Sequence, residues 1–227
     1  MQSNKEIRKL GLIGSFAIYI PASLLMYYLT KYLIPYLSNA TGLETILFWF
    51  IVAGIGIFTP LIITALLILK SEGYRINKST WTDRLRFRKI TKPDLIWCFL
   101  GLVLVGVLSI MIIKSLELAI GKFDHSPDFM SFEPLTKGRY WLLLVWAPYW
   151  ILNILGEEFL WRGVMLLRQE VAFGKHAWLI HGFGWGLFHI GFGWQLLITL
   201  IPLAWNAKCT NPSRRPGGVC ELDPRVL

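Results

Sequence analysis

Long apolar runs alternate with short polar ones along most of the chain. Gly11 to Leu37, Glu44 to Leu69 and Leu95 to Ile120 are each long enough to cross a bilayer as a helix, which takes roughly 20 apolar residues. Tyr140 to Gly156 is a fourth run, slightly short, and the pattern continues it as helix through GEEFLWRG, residues 156–163. Ala177 to Phe192 and Trp194 to Trp205 are shorter still, the first of them broken by glycine. Pro21, Pro35, Pro60 and Pro148 fall inside or at the ends of these runs. Membrane helices tolerate such prolines when neighbouring helices satisfy the freed backbone groups. The predicted fold is therefore all-α, a polytopic transmembrane helical bundle with about six apolar segments. Its parts are two N-terminal spans with a basic loop over 1–94, a helical core over 95–205 and an atypical polar tail over 206–227. Gly182, Gly184, Gly186, Gly191 and Gly193 are dense enough to predict close helix packing. Their Gly-x-Gly spacing follows no strand, so it does not read as a nucleotide loop.

Composition points the same way. Hydrophobic residues make up 55% and charged residues 16%, against about a quarter charged in a soluble domain. Mean hydropathy is +0.52. Eleven Trp, eight Tyr and fourteen Phe suit aromatic belts at two interfaces. The net charge of +9 is concentrated in the linkers between apolar runs, which fits a positive cytoplasmic surface and excludes nucleic acid as the expected partner. Lys5, Arg8 and Lys9 precede the first span, the loop from Lys70 to Asp94 is strongly basic, and the loop from Gly121 to Arg139 is nearly balanced. These loops together put the N-terminus in the cytoplasm. The first run is too long for a signal-peptide core and is read as retained. Cys98, Cys209 and Cys220 form neither a disulfide framework nor a zinc pattern. The expected setting is an integral protein of a membrane, most simply a bacterial cell membrane, with lipids around it and its oligomeric state left open.

Charge inside such a bundle costs free energy, about 2.5–3.5 kcal/mol per residue at helix centre. GEEFLWRG nevertheless places Glu157, Glu158 and Arg162 at the end of an apolar run. Glu158 and Arg162 stand four apart and can pair on one helix face. Glu157 points about 100° away and is expected to lack a local partner, so it is the candidate general base. Downstream, WGLFHIGFG places His189 in an apolar segment, with Trp185 one turn before it and His181 one turn earlier again. An imidazole at depth is a natural proton donor or acceptor. The carboxylate motif alone is as readily structural as catalytic, and a lone buried histidine is more often structural. The two lie in consecutive helices, which pack as neighbours. Together a carboxylate and an imidazole can activate water against a carbonyl carbon. A catalytic zinc needs about three protein ligands, and His181 and His189 are roughly 12 Å apart along a helix. No cofactor is therefore expected, and a divalent metal such as zinc, on Glu157 and His189 with Glu158 nearby, is the less favoured alternative.

These residues resemble the CAAX-prenyl-endopeptidase and bacteriocin-processing (CPBP, or Abi) family of intramembrane proteases. Its EExxxR motif matches Glu157, Glu158 and Arg162, and its FxxxH motif matches Trp185 and His189 with tryptophan in place of phenylalanine. The similarity extends over about residues 75 to 205 and includes, more weakly, the loop WTDRLRFRKITKPDLIW. The resemblance implies a helical membrane bundle, a peptide or protein substrate at the membrane, Glu157 as general base and His189 orienting or activating the water. It also implies a third motif, HxxxN or similar, on a later helix, and no histidine follows His189. NAKCTNPSRRPGGVCELDPRVL departs abruptly from the apolar pattern and is expected to be an abnormal end from a frameshift or vector sequence, or a natural truncation. On that reading the chain as written is weakly active or inactive. The alternatives are a non-enzymatic membrane partner, such as a bacteriocin immunity protein, and a small transporter.

Overall fold

The computed structural model describes residues 7–75, 77–78, 80–85, 89–122, 127–130 and 133–193. The run from Trp194 to Trp205, the tail 206–227 and His125 lie outside the described residues. Every regular element among the described residues is helical. Among the described residues, three helices are long and apolar enough to cross a membrane: α1 Leu12–Thr41, α2 Thr45–Ser71 and α3 Lys92–Ile120. Then come α4 Leu142–Glu157, a π-helical stretch Glu158–Leu166, α5 Leu167–Phe173 and α6 Ala177–Phe188. Of the six predicted segments, the first three thus form full spans, the fourth and fifth form shorter helices, and the sixth is among the residues not described.

The long helices are not uniform. α1 widens into π-helix at Leu29–Leu33 and α2 at Trp49–Phe58. The wider turn of α2 ends where the Thr59 amide and hydroxyl both donate to the Gly54 carbonyl, the hydroxyl at 2.9 Å. Such turns leave the plain helical ladder and are frequent at functional sites. Nothing in the hydrophobic pattern distinguished them from α-helix.

The core forms where α1, α2, α4 and α6 meet around Trp161. The Tyr19 ring stacks on Trp161 at 4.9 Å and Phe188 meets it edge-on at 5.2 Å. All three are fully buried. Glycine sets the closest approaches. A Cβ on Gly184 would stand 2.2 Å from the Tyr19 ring, one on Gly156 would stand 2.8 Å from the Phe58 carbonyl oxygen, and one on Gly191 would stand 2.9 Å from Thr30 Oγ1. Without hydrophobic pressure between helices in lipid, this contact of small residues is what holds spans together. Gly186, in the same cluster, faces open space.

α3 differs from the rest. Thr91 and Asp94 close a capping box at its start, and Val105 is its one buried residue. Its leucines and isoleucines face outward, as lipid contact requires. The basic loop before it is anchored from inside. Arg84 donates to Glu72 at 2.9 Å and, from its other terminal nitrogen, to the Gly163 carbonyl at 2.9 Å. Arg168 stands 3.3 Å from the same Glu72 carboxylate. The Arg84 and Glu72 side chains are almost fully buried. This clasp ties the loop to the π-helical stretch that follows α4.

Candidate active site

α4 carries Glu157 at its last position, and Gly156 beside it lets the α4 backbone touch the α2 backbone at Phe58. Glu157 is therefore fixed against α2 rather than left at a fraying end. Its two carboxylate oxygens each accept one hydrogen bond, Oε1 from Asn153 Nδ2 at 3.2 Å and Oε2 from Trp185 Nε1 at 2.9 Å. This corrects the sequence reading in which Glu157 lacks a local partner. Asn153 sits one helical turn earlier on the same face and was legible as a lone amide in an apolar run.

Trp185 and His189 come from the far end of α6. The imidazole lies 4.4 Å from the indole centroid to centroid, and His189 Nδ1 is 2.9 Å from the Trp185 carbonyl oxygen. A carbonyl can only accept, so Nδ1 carries the proton and donates. In the neutral ring Nε2 then keeps a free lone pair. Phe188 and Phe192 close on His189 edge-on at 5.0 and 5.1 Å, and the ring is nearly buried. Glu157 and His189 thus meet opposite ends of one residue, the carboxylate on the indole nitrogen and the imidazole on the indole face. Beyond them, Trp49 contacts Tyr149, Phe129 and Phe192 at 5.8, 4.8 and 5.5 Å, forming an aromatic wall.

Glu158 and Arg162 form the expected ion pair on the first turn of the π-helical stretch. Both are partly exposed, and at such exposure a pair in water is worth at most about 1 kcal/mol. His181 is brought elsewhere. Its Nδ1 lies 3.0 Å from both the Tyr19 hydroxyl and Gln169 Oε1, and Gln169 Nε2 donates to Ser15 Oγ at 3.0 Å. This buried chain fastens α1 to α5 and α6. It has no sequence spacing that would have announced it. His176 lies in a short turn ahead of α6.

Among the described residues, no three His, Cys, Asp or Glu side chains converge. Both Glu157 oxygens already accept from nitrogen donors and His189 offers one free nitrogen. That donor set falls short of the three protein ligands of a catalytic zinc.

A helical bundle with bilayer-length apolar spans that holds a carboxylate and an imidazole around a shared tryptophan defines an integral membrane protein with an internal polar site. The family model described as Rce1-like, Type II CAAX prenyl endopeptidase Rce1-like, matches residues 139–209. The match takes in α4 through α6 and with them Asn153, Glu157, Glu158, Arg162, Trp185 and His189. It supports the CPBP resemblance read from the two motifs, over the part of the chain that carries them. No curated protein and no solved structure gives a significant match.

Proposed function

We propose that the chain is an intramembrane endopeptidase in which Glu157 activates water against a peptide bond near the cytoplasmic face of the membrane, the N-terminus lying in the cytoplasm. The observation that carries this reading is the shared contact of Glu157 and His189 with Trp185. In this reading the attacking water sits between the carboxylate and the acceptor nitrogen. Glu157 takes a proton from the water as its oxygen attacks the scissile carbonyl carbon. The carbonyl electrons move to oxygen, and collapse of the tetrahedral intermediate expels the amine, which leaves with the proton from Glu157. His189 Nε2 accepts a hydrogen bond from the second O–H of the water, which stays on the attacking oxygen, and so aims its lone pair. Asn153 Nδ2 and Trp185 Nε1 hold the carboxylate until the water engages it, and each is then a candidate donor to the oxyanion. Removing one such donor commonly costs about 2.7–4 kcal/mol of transition-state stabilisation.

The substrate class to test first is the one the family description names, a prenylated peptide ending in a CAAX sequence. The test is cleavage by the purified full chain in liposomes, with a farnesylated CAAX peptide and its unprenylated twin. The reading expects the farnesylated peptide to be cut, and Glu157→Gln and His189→Gln each to lose that cleavage at unchanged protein level. Equal cleavage by wild type and Glu157→Gln overturns it.

A further inference from the structure

A polar cavity adjoins the aromatic wall at Phe129. It has a volume of about 260 Å³ and is lined by Thr30, Lys31, Ser38, Asn39 and Thr45, with Phe129 as an apolar wall. Lys31 is the one charged side chain among its lining residues, and among the described residues no hydrogen-bond or ion-pair partner meets it. The Thr30 hydroxyl donates to the Met26 carbonyl at 2.8 Å, and Ser38 donates to the Leu43 carbonyl at 2.7 Å. Ser38 Oγ also stands 3.3 Å from Thr45 Oγ1, and because the Ser38 proton goes to Leu43, the Thr45 hydroxyl donates to Ser38. That leaves the Lys31 ammonium and the Asn39 amide as donors toward the space, and a polar cavity carrying a single cation selects an anion. Glu44, the carboxylate beside Thr45, is paired with Arg139 and does not neutralise Lys31.

Depth identifies the anion. About 20 helical residues cross the hydrocarbon, and Lys31 stands that far along α1 from Leu12, so its ammonium reaches the membrane–water interface. Exposed Tyr27, Tyr28, Tyr32 and Tyr36 ring the same level, where interfacial aromatics gather. Tyr32 contacts Tyr28 and Tyr27 at 5.7 and 6.3 Å. Lipid phosphates lie at this height.

We propose that this cavity binds the phosphodiester headgroup of a membrane phospholipid, with Lys31 as its charge partner and Asn39 as a hydrogen-bond donor. The bound phosphate sits against α1 and the start of α2, where Phe129 connects through Phe192 to His189, at 5.2 and 5.1 Å.

The test uses the full chain released from nanodiscs of phosphatidylglycerol and phosphatidylcholine, with retained lipid counted by native mass spectrometry. Wild type is expected to retain one phospholipid. A single lysine near a membrane surface is worth about 1 kcal/mol, so Lys31→Met should lower retention about fivefold, whereas Lys31→Arg keeps it. Lys70→Met, at the opposite end of α2, serves as the control and leaves retention unchanged. Inorganic phosphate at equal concentration should not displace the lipid. Equal retention by Lys31→Met and wild type overturns the proposal, as does displacement by inorganic phosphate, which would make the site one for a free anion. Retention of diacylglycerol as strong as that of phosphatidylglycerol also overturns it. Thermal unfolding of each variant in detergent shows that a loss of retention is not a loss of fold.

Discussion

Replacing Gly184 by alanine adds one methyl group at the tightest point of the bundle. Its Cβ would lie 2.2, 2.3 and 2.5 Å from three atoms of the Tyr19 ring, more than 1 Å inside normal carbon contact. Tyr19 has little freedom to yield. Its ring is fully buried against Trp161, and its hydroxyl sits 3.0 Å from His181. Overpacking of this kind costs about 1–3 kcal/mol. Alanine returns roughly 0.8–1 kcal/mol of helix propensity, so the low end of the range nearly cancels. Because both neighbours of the ring are pinned, Gly184→Ala is expected at the upper end, a net loss of about 2 kcal/mol. Gly186→Ala makes the same chemical change two residues on, where nothing lies within 4 Å. It should gain up to about 1 kcal/mol from propensity alone. The assay is denaturant unfolding of both variants in one detergent, followed by tryptophan fluorescence. Equal midpoints for Gly184→Ala and Gly186→Ala would refute the claim that Tyr19 locks α1 into the glycine face of α6.

Three further outcomes follow from the site and its supports. Gly156→Ala drives a methyl group against the backbone of α2 at Phe58 and displaces Glu157, so cleavage should fall at least tenfold with a lower unfolding midpoint; unchanged cleavage counts against the close approach. Arg84→Met leaves buried Glu72 with Arg168 as its remaining cation among the described residues, and breaking a buried pair costs about 3–5 kcal/mol; the double variant with Glu72→Met should recover part of that loss in the same unfolding assay. Trp185→Phe keeps a ring against His189 and removes the donor to Glu157. A hydrogen bond to a charged group is worth about 1.5–3 kcal/mol, so kcat/KM should drop about tenfold or more with little change in unfolding midpoint.

The parts of the site legible from the chain were those encoded in local spacing. Glu158 and Arg162 pair because they are four apart, and Trp185 meets His189 because they share a helix face. The glycine cluster announced close packing, but not which glycine would carry it, since that depends on where Tyr19 arrives from α1. Asn153 stands one turn before Glu157, but a neutral amide in an apolar run carries no charge signal that marks it as a partner. The Arg84–Glu72–Arg168 clasp and the Tyr19–His181–Gln169–Ser15 chain join residues far apart in sequence, and no periodicity reports such contacts. The π-helical turns escaped for a different reason. Their residues are as apolar as those of the α-helix around them, and turn width leaves no mark on hydropathy.

The central claim is that Glu157 drives hydrolysis of a peptide bond within the membrane. The most direct measurement incubates the purified chain in liposomes with a farnesylated CAAX peptide in isotopically labelled water and follows the new carboxyl terminus by mass spectrometry. Heavy oxygen should enter that carboxylate with wild type and not with Glu157→Gln, whatever the absolute rate. Labelled product formed as fast by Glu157→Gln as by wild type would contradict the account.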